Sequence, residues 1–141
     1  MDTLSIDLAR RAMQVIKDYV SQQTLNRTTY CAMVVQLPNR NNVRAVVVAE
    51  AGASARGIVG PLVDLLDNQL QVPIIPCAAP TPDLSNDAEQ QALRTVEKGG
   101  DTTFKDGRIK AVVASRNICA QCSPTLGQLG LTVTGCEATA P

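Results

Sequence analysis

Along the first twenty residues, Leu4, Leu8, Ala12, Val15, Ile16 and Tyr19 recur at helical spacing, with Asp7, Arg10, Arg11, Gln14 and Lys17 between them. This pattern predicts an amphipathic helix over 3–22. The period then changes. Thr28 to Leu37 and Val43 to Ala49 are β-branched and apolar runs joined by Pro38-Asn39-Arg40-Asn41-Asn42, which has the turn chemistry of a hairpin. The second run, Ala45-Val46-Val47-Val48-Ala49, is apolar on both faces, as expected of a strand inside a sheet covered on both sides.

Gly52, Gly57 and Gly60 form a flexible connection, and Pro61 then suits a first helical position ahead of Leu62, Val63, Leu65 and Leu66. A helix of about three turns is predicted there. From Gln71 to Leu84 the chain carries Pro73, Pro76, Pro80 and Pro82, too many for a helix or a central strand. An ordered loop or lid is expected, lying outside the sheet and bordering a functional mouth because it leads into the next helix. That helix spans 86–98, with Ala88, Ala92, Leu93 and Val96 as its buried stripe and Gly99-Gly100 as its stop.

After a polar turn at Asp106-Gly107, Ile109 to Ala114 reads as a buried strand. Cys119-Ala120-Gln121-Cys122, a helical stretch through Leu129 and a short strand, Leu131 to Thr134, complete the order α, β, β, α, α, β, α, β. This order predicts one α/β domain over 1–141, with helices on both faces of a mixed sheet of about four to five strands. The last β-α-β unit is expected to pair in parallel through a right-handed crossover.

Composition narrows the chemistry. With 13 basic and 13 acidic residues there is no broad cationic field to attract bulk nucleic acid, so any such contact must be local. Tyr19, Tyr30 and Phe104 are the only aromatics, too few for a stacking platform. The absence of His excludes Cys-His and Ser-His-Asp nucleophiles. Cys31, Cys77, Cys119, Cys122 and Cys136 are odd in number, and only Cys119 and Cys122 are closely spaced, which is not a disulfide framework. No apolar run is long enough to span a bilayer, and a soluble domain is expected.

The chemistry-bearing residues sit in two segments. One helix opens Asn86-Asp87-Ala88-Glu89, and the strand ending at Ala114 delivers Cys119-x-x-Cys122 to the next helix. Each has a plainer explanation. Asn86 with Glu89 has the form of a helix cap and its reciprocal partner. Cys119 and Cys122 fit a thioredoxin-like dithiol or a structural zinc knuckle, although the knuckle lacks a second close pair.

Taken together, Asp87-Ala88-Glu89-Gln90-Gln91-Ala92-Leu93 and Ser115-Arg116-Asn117-Ile118-Cys119-Ala120-Gln121-Cys122 resemble the zinc deaminases of the cytidine deaminase superfamily. Among these the likeness is to the bacterial toxin deaminases, where x-A-E-x-x-A-L precedes a strand ending in Ser-Arg-x-x-Cys-x-x-Cys. The resemblance implies a cytidine deaminase-like α/β/α fold, a zinc ion, Cys119 and Cys122 as ligands, and Glu89 as a proton shuttle off the metal. The family's first ligand is His or Cys, and Asp87 stands in that place. A carboxylate oxygen binds zinc at about 2.0–2.2 Å and reaches about as far as the ring nitrogen nearer the backbone. Two thiolates and a carboxylate leave the site at about −1, the same formal charge as the three-cysteine members of the family. The proline that precedes the first Cys in the family is Ile118 here.

The resemblance further implies hydrolytic deamination of a nucleobase, cytosine ahead of adenine or guanine, in a nucleotide or single-stranded nucleic acid. It implies a toxin acting in the cytoplasm, secreted or delivered as part of a larger protein, with an immunity protein as partner and no membrane. Two other classes stay open: a dithiol redox protein, and a deaminase-like binding module without metal. Cys77, just upstream of Asp87, is the rival third ligand. Cys31 reads as a small core residue and Cys136 as part of a loose C-terminus. Ser54, Arg56, Phe104 and Arg116 are candidates to line the pocket, with solvated charge or ordinary packing as the plainer role.

Overall fold

The structure, a computed structural model, describes residues 3–37, 43–52, 58–77, 88, 92, 93, 107–116, 118 and 122–140, without the side chains of residues 122 and 123. Helix α1 spans Thr3–Tyr19 and buries Ser5, Ile6, Leu8, Ala9, Ala12, Met13 and Ile16. The predicted stripe is therefore rotated: Leu4 and Tyr19 are exposed, while Ile6, Ala9 and Met13 face inward. The helix also ends early, because Ser21 caps a new one. Its Oγ accepts a hydrogen bond from Thr24 N at 3.1 Å, starting α2, Gln22–Arg27.

Strands β1, Thr29–Gln36, and β2, Arg44–Ala51, pair antiparallel from Thr29↔Ala51 to Gln36↔Arg44, the hairpin the sequence predicts. Helix α3, Gly60–Leu70, follows with Pro61 in its first turn and buries Leu62, Leu66 and Leu70. Strand β4, Arg108–Ala114, lies antiparallel to β1 on the side away from β2. Both faces of the central strands are covered, so alternate residues enter two cores. Tyr30, Ala32, Val34, Val46, Val48, Ala111 and Val113 pack with α1 and α3. Cys31, Met33, Val35, Val47, Ala49, Val112 and Ala114 pack on the opposite side with Ala88, Ala92, Leu93 and Leu126. Ala88, Ala92 and Leu93 are helical, and Leu126 belongs to α4, Cys122–Gln128. The result is the expected three-layer α/β/α arrangement.

The sheet has six strands in the order β3-β2-β1-β4-β6-β5, with β3 Ile74–Pro76, β5 Thr132–Thr134 and β6 Glu137–Thr139, so the expected count is exceeded. Two expectations are corrected here. Residues 74–76 belong to the sheet despite Pro76, as an edge strand parallel to β2. The edge tolerates it: Pro73 O accepts from Val46 N at 2.9 Å and Cys77 N donates to Val48 O at 2.8 Å, so neither bond needs a proline N–H. The other correction concerns the last crossover, in which β5 does not pair with β4. A hairpin through Gly135 and Cys136 returns the chain as β6, which inserts between them and pairs antiparallel with both. Gly135 at φ +62° permits that turn, so Cys136 lies in a hairpin and not in a loose terminus. Arg10 fastens α1 to β6, its Nε and Nη2 each donating to a Glu137 carboxylate oxygen at 2.7 Å. That hydrogen bond first, and Arg10's charge second, hold the Glu137 carboxyl below its ordinary pKa.

Gly52 ends β2 at φ +147°, and a Cβ built there would lie 2.7 Å from the carbonyl oxygen of Arg27. Backbone cannot yield as a side-chain tip does. Gly52→Ala is expected to lower unfolding free energy by roughly 1–3 kcal/mol. The check is a urea melt: its midpoint should fall with little change in slope, and an unmoved midpoint would contradict the packing described.

Candidate functional site

Strand directions decide where the site can form. Because β1 is antiparallel to both β2 and β4, and β3 is parallel to β2, strands β2, β3 and β4 all run one way. Their C-terminal ends share one end of the sheet, the end at which open α/β sheets carry their ligands. The chain leaves it at Gly52, Cys77 and Ser115.

The segment after β4 is fixed at several points. Ser115 N donates to Tyr30 O, and Tyr30 N donates to Ser115 Oγ, both at 2.8 Å. Arg116 Nη2 donates to the Leu25 carbonyl at 3.0 Å and to that of Asn26, joining the segment to the last turn of α2. Ile118 N donates to Gly135 O at 2.9 Å, and its side chain is 8 % exposed. Arg116 thus takes a role the sequence did not suggest, closing off helix carbonyls that would otherwise lack partners.

On the Ile118 side of the sheet, opposite α1 and α3, Ala88 and Ala92 are fully buried and Leu93 nearly so. Ala88, Ala92, Leu93, Ile118, Leu126, Cys31 and Cys77 belong to one hydrophobic cluster. Ala88 separates Asp87 from Glu89, and Ile118 immediately precedes Cys119. The flanks of both chemistry-bearing segments therefore pack into one core. Asp87, Glu89 and Cys119 themselves lie outside the described residues, as do Ser54, Arg56, Phe104 and residues 78–84 of the predicted lid. Cys122 opens α4. Among the described residues no three His, Cys, Asp or Glu side chains are grouped to hold a metal.

Cys31 is fully buried in β1, in the core role the sequence assigns it. Cys77, 5 % exposed, lies at the end of β3 in the cluster that contains Ala88, and so stays a rival to Asp87. One buried acid escaped sequence reasoning. Glu50, 7 % exposed, stands directly opposite Tyr30 on β1, and the two side chains are hydrogen-bonded. Burial, then the charge of Glu50, push the Tyr30 phenol far above its ordinary pKa. The signal was a lone charge closing an apolar strand. Since Ala49 and Ala51 face the Ala88 side, alternation sends Glu50 to the opposite face, away from the candidate chemistry.

Beside the Arg116 clasp, α1, α2 and the end of β4 enclose an open cleft of about 490 Å³, lined by Lys17, Gln22, Leu25, Asn26, Ser115 and Arg116. Among the described residues no helix is long and apolar enough to cross a membrane. In comparisons with known proteins, no family model, no curated protein and no solved structure matches this chain.

Proposed function

We propose that this chain is a zinc-dependent hydrolytic deaminase of an amino-substituted nucleobase, cytosine first, carried in a nucleotide or in nucleic acid. The observation that carries the proposal is the shared cluster: Ala88 and Ile118, from segments about thirty residues apart, pack into one core on one face of the sheet. A deaminase requires those two segments to meet at the C-terminal end of the strands. The order of elements and the three layers agree with that family.

The donor set suits zinc. Cys119 and Cys122 offer two soft thiolates at the spacing of one helical turn, and Asp87 offers a carboxylate oxygen, all accepted ligand types. Zinc, when bound, supplies the Lewis acidity that brings the pKa of water to about 7. Glu89 takes a proton from the attacking water and passes protons to the ring nitrogen and the departing amine. The carbon loses its C–N bond and gains a C=O bond, and ammonia leaves. A role as a delivered toxin domain with an immunity protein rests on the resemblance of the two segments alone.

The test is elemental analysis of protein purified under reducing conditions, followed by product analysis on mixed DNA, RNA and free nucleosides. One zinc per chain and release of ammonia are expected. A metal-free protein with a reversible Cys119–Cys122 disulfide would replace the deaminase with a dithiol redox protein.

A further inference from the structure

The cleft between α1, α2 and the end of β4 has an unbalanced lining. Lys17 and Arg116 bring two positive charges, Gln22 and Asn26 two amides, and Ser115 a hydroxyl, and among the described residues no carboxylate lines it. Asp18, next to Lys17, accepts a hydrogen bond from Gln14 on α1 at 2.9 Å. Among the described residues Lys17 forms no ion pair. Two cations around one cleft repel each other, and an anion between them removes that cost.

Arg116 is already oriented. Its Nη2 is held by the carbonyls of Leu25 and Asn26, while Nε and Nη1 make no hydrogen bond to any described residue. A guanidinium fixed at one corner keeps the rest of its planar fork ready for the oxygens of a phosphate, with less side-chain entropy left to lose. The placement is also specific. Arg116 is three residues before Cys119, but the cleft lies on the α1 side of the sheet and Ile118 packs on the opposite side, so a ligand held in the cleft has to reach around the C-terminal end of β4 to present its base to the proposed site.

We infer that this cleft is a phosphate subsite, in which Lys17 and Arg116 hold a phosphate of the nucleotide or nucleic-acid strand whose base is to be deaminated. The identity of the ligand as a nucleotide rests on the proposed function; the charge pattern that selects a phosphate does not. The subsite also supplies the local contact that a chain with balanced charge needs in order to engage a polyanion.

Binding, not turnover, is the test. Anisotropy of a fluorescein-labelled, mixed-sequence single-stranded oligodeoxynucleotide is followed with the full chain at several salt concentrations. A nucleoside monophosphate and the matching nucleoside serve as competitors. Two cations predict a shallow log–log salt slope of about −0.7 per phosphate contact. Lys17→Glu, at an exposed position, should weaken the oligonucleotide about tenfold and flatten the slope by about one contact. Competition by the monophosphate but not the nucleoside assigns the subsite to a single nucleotide; a monophosphate that fails against a Lys17-dependent oligonucleotide assigns it to a strand. Arg108→Glu, at the opposite end of β4, is the control for general charge. Absence of oligonucleotide binding, an unchanged affinity and slope in Lys17→Glu, or an equal loss in Arg108→Glu would overturn the inference. Because none of these readings needs zinc or turnover, a failed subsite and a failed deaminase are told apart.

Discussion

Glu89→Ala is expected to keep one zinc per chain and to lose deamination by roughly 10²–10⁴-fold or more. A proton shuttle lowers the barrier without contributing a bond to the metal, so rate and occupancy should separate. The competing explanation of Glu89 is local: with Asn86 it has the spacing of a helix cap and its partner. That role would cost about 0.5–2 kcal/mol of stability on truncation and leave turnover per folded molecule intact. Glu89→Gln sharpens the contrast, since the amide keeps much of the capping geometry and cannot accept a proton. Ammonia release and zinc content, measured on the same preparations beside a urea melt, distinguish the two. Loss of zinc in Glu89→Ala would instead make Glu89 a ligand.

Zinc apart, the legibility of this chain follows the strength of local signals. β1, β2 and β4 are continuous apolar or β-branched runs buried on both faces, and runs of that kind say strand, interior and covered at once. α1 was found but turned, because Ile6, Ala9 and Met13 make an inward stripe as regular as one through Leu4 and Tyr19, and only packing chooses between them. β3 and β6, three residues each, are too short to show a period, and β3 also carries a proline that only an edge position admits. Gly135 was the available sign of the last hairpin. The site divides in the same way. Its candidate ligands are legible because ligand spacing is local, as in Cys119 and Cys122. The Arg116 clasp was not, because its carbonyl partners lie 90 and 91 residues earlier in the chain. No local pattern encodes a contact of that kind, and the cleft beside it is likewise made by three elements meeting.

The largest effect on metal is expected at Asp87. Asp87→Ala should weaken zinc binding markedly, because in the proposed site it removes one of three protein ligands and leaves two thiolates and solvent. Asp87→His should hold zinc at least as well and raise turnover, since a neutral ligand brings the site from about −1 toward zero and makes the activated water more acidic. Cys77 is the control that the fold itself demands: it is buried in the cluster that contains Ala88 and lies at the same end of the sheet, so a thiolate there would serve in place of the carboxylate. The two assignments predict opposite results. If Asp87 is the ligand, Cys77→Ala keeps zinc. If Cys77 is the ligand, Cys77→Ala abolishes zinc while Asp87→Ala leaves it in place, and the fold and Glu89 keep their roles around a different donor. A third outcome has its own meaning. A starting protein free of zinc, in which Asp87→His restores both metal and ammonia release, would make Asp87 the residue that silences an otherwise intact deaminase. Zinc titration under reducing conditions with a chromogenic chelator, run on all three variants beside ammonia release, decides among them.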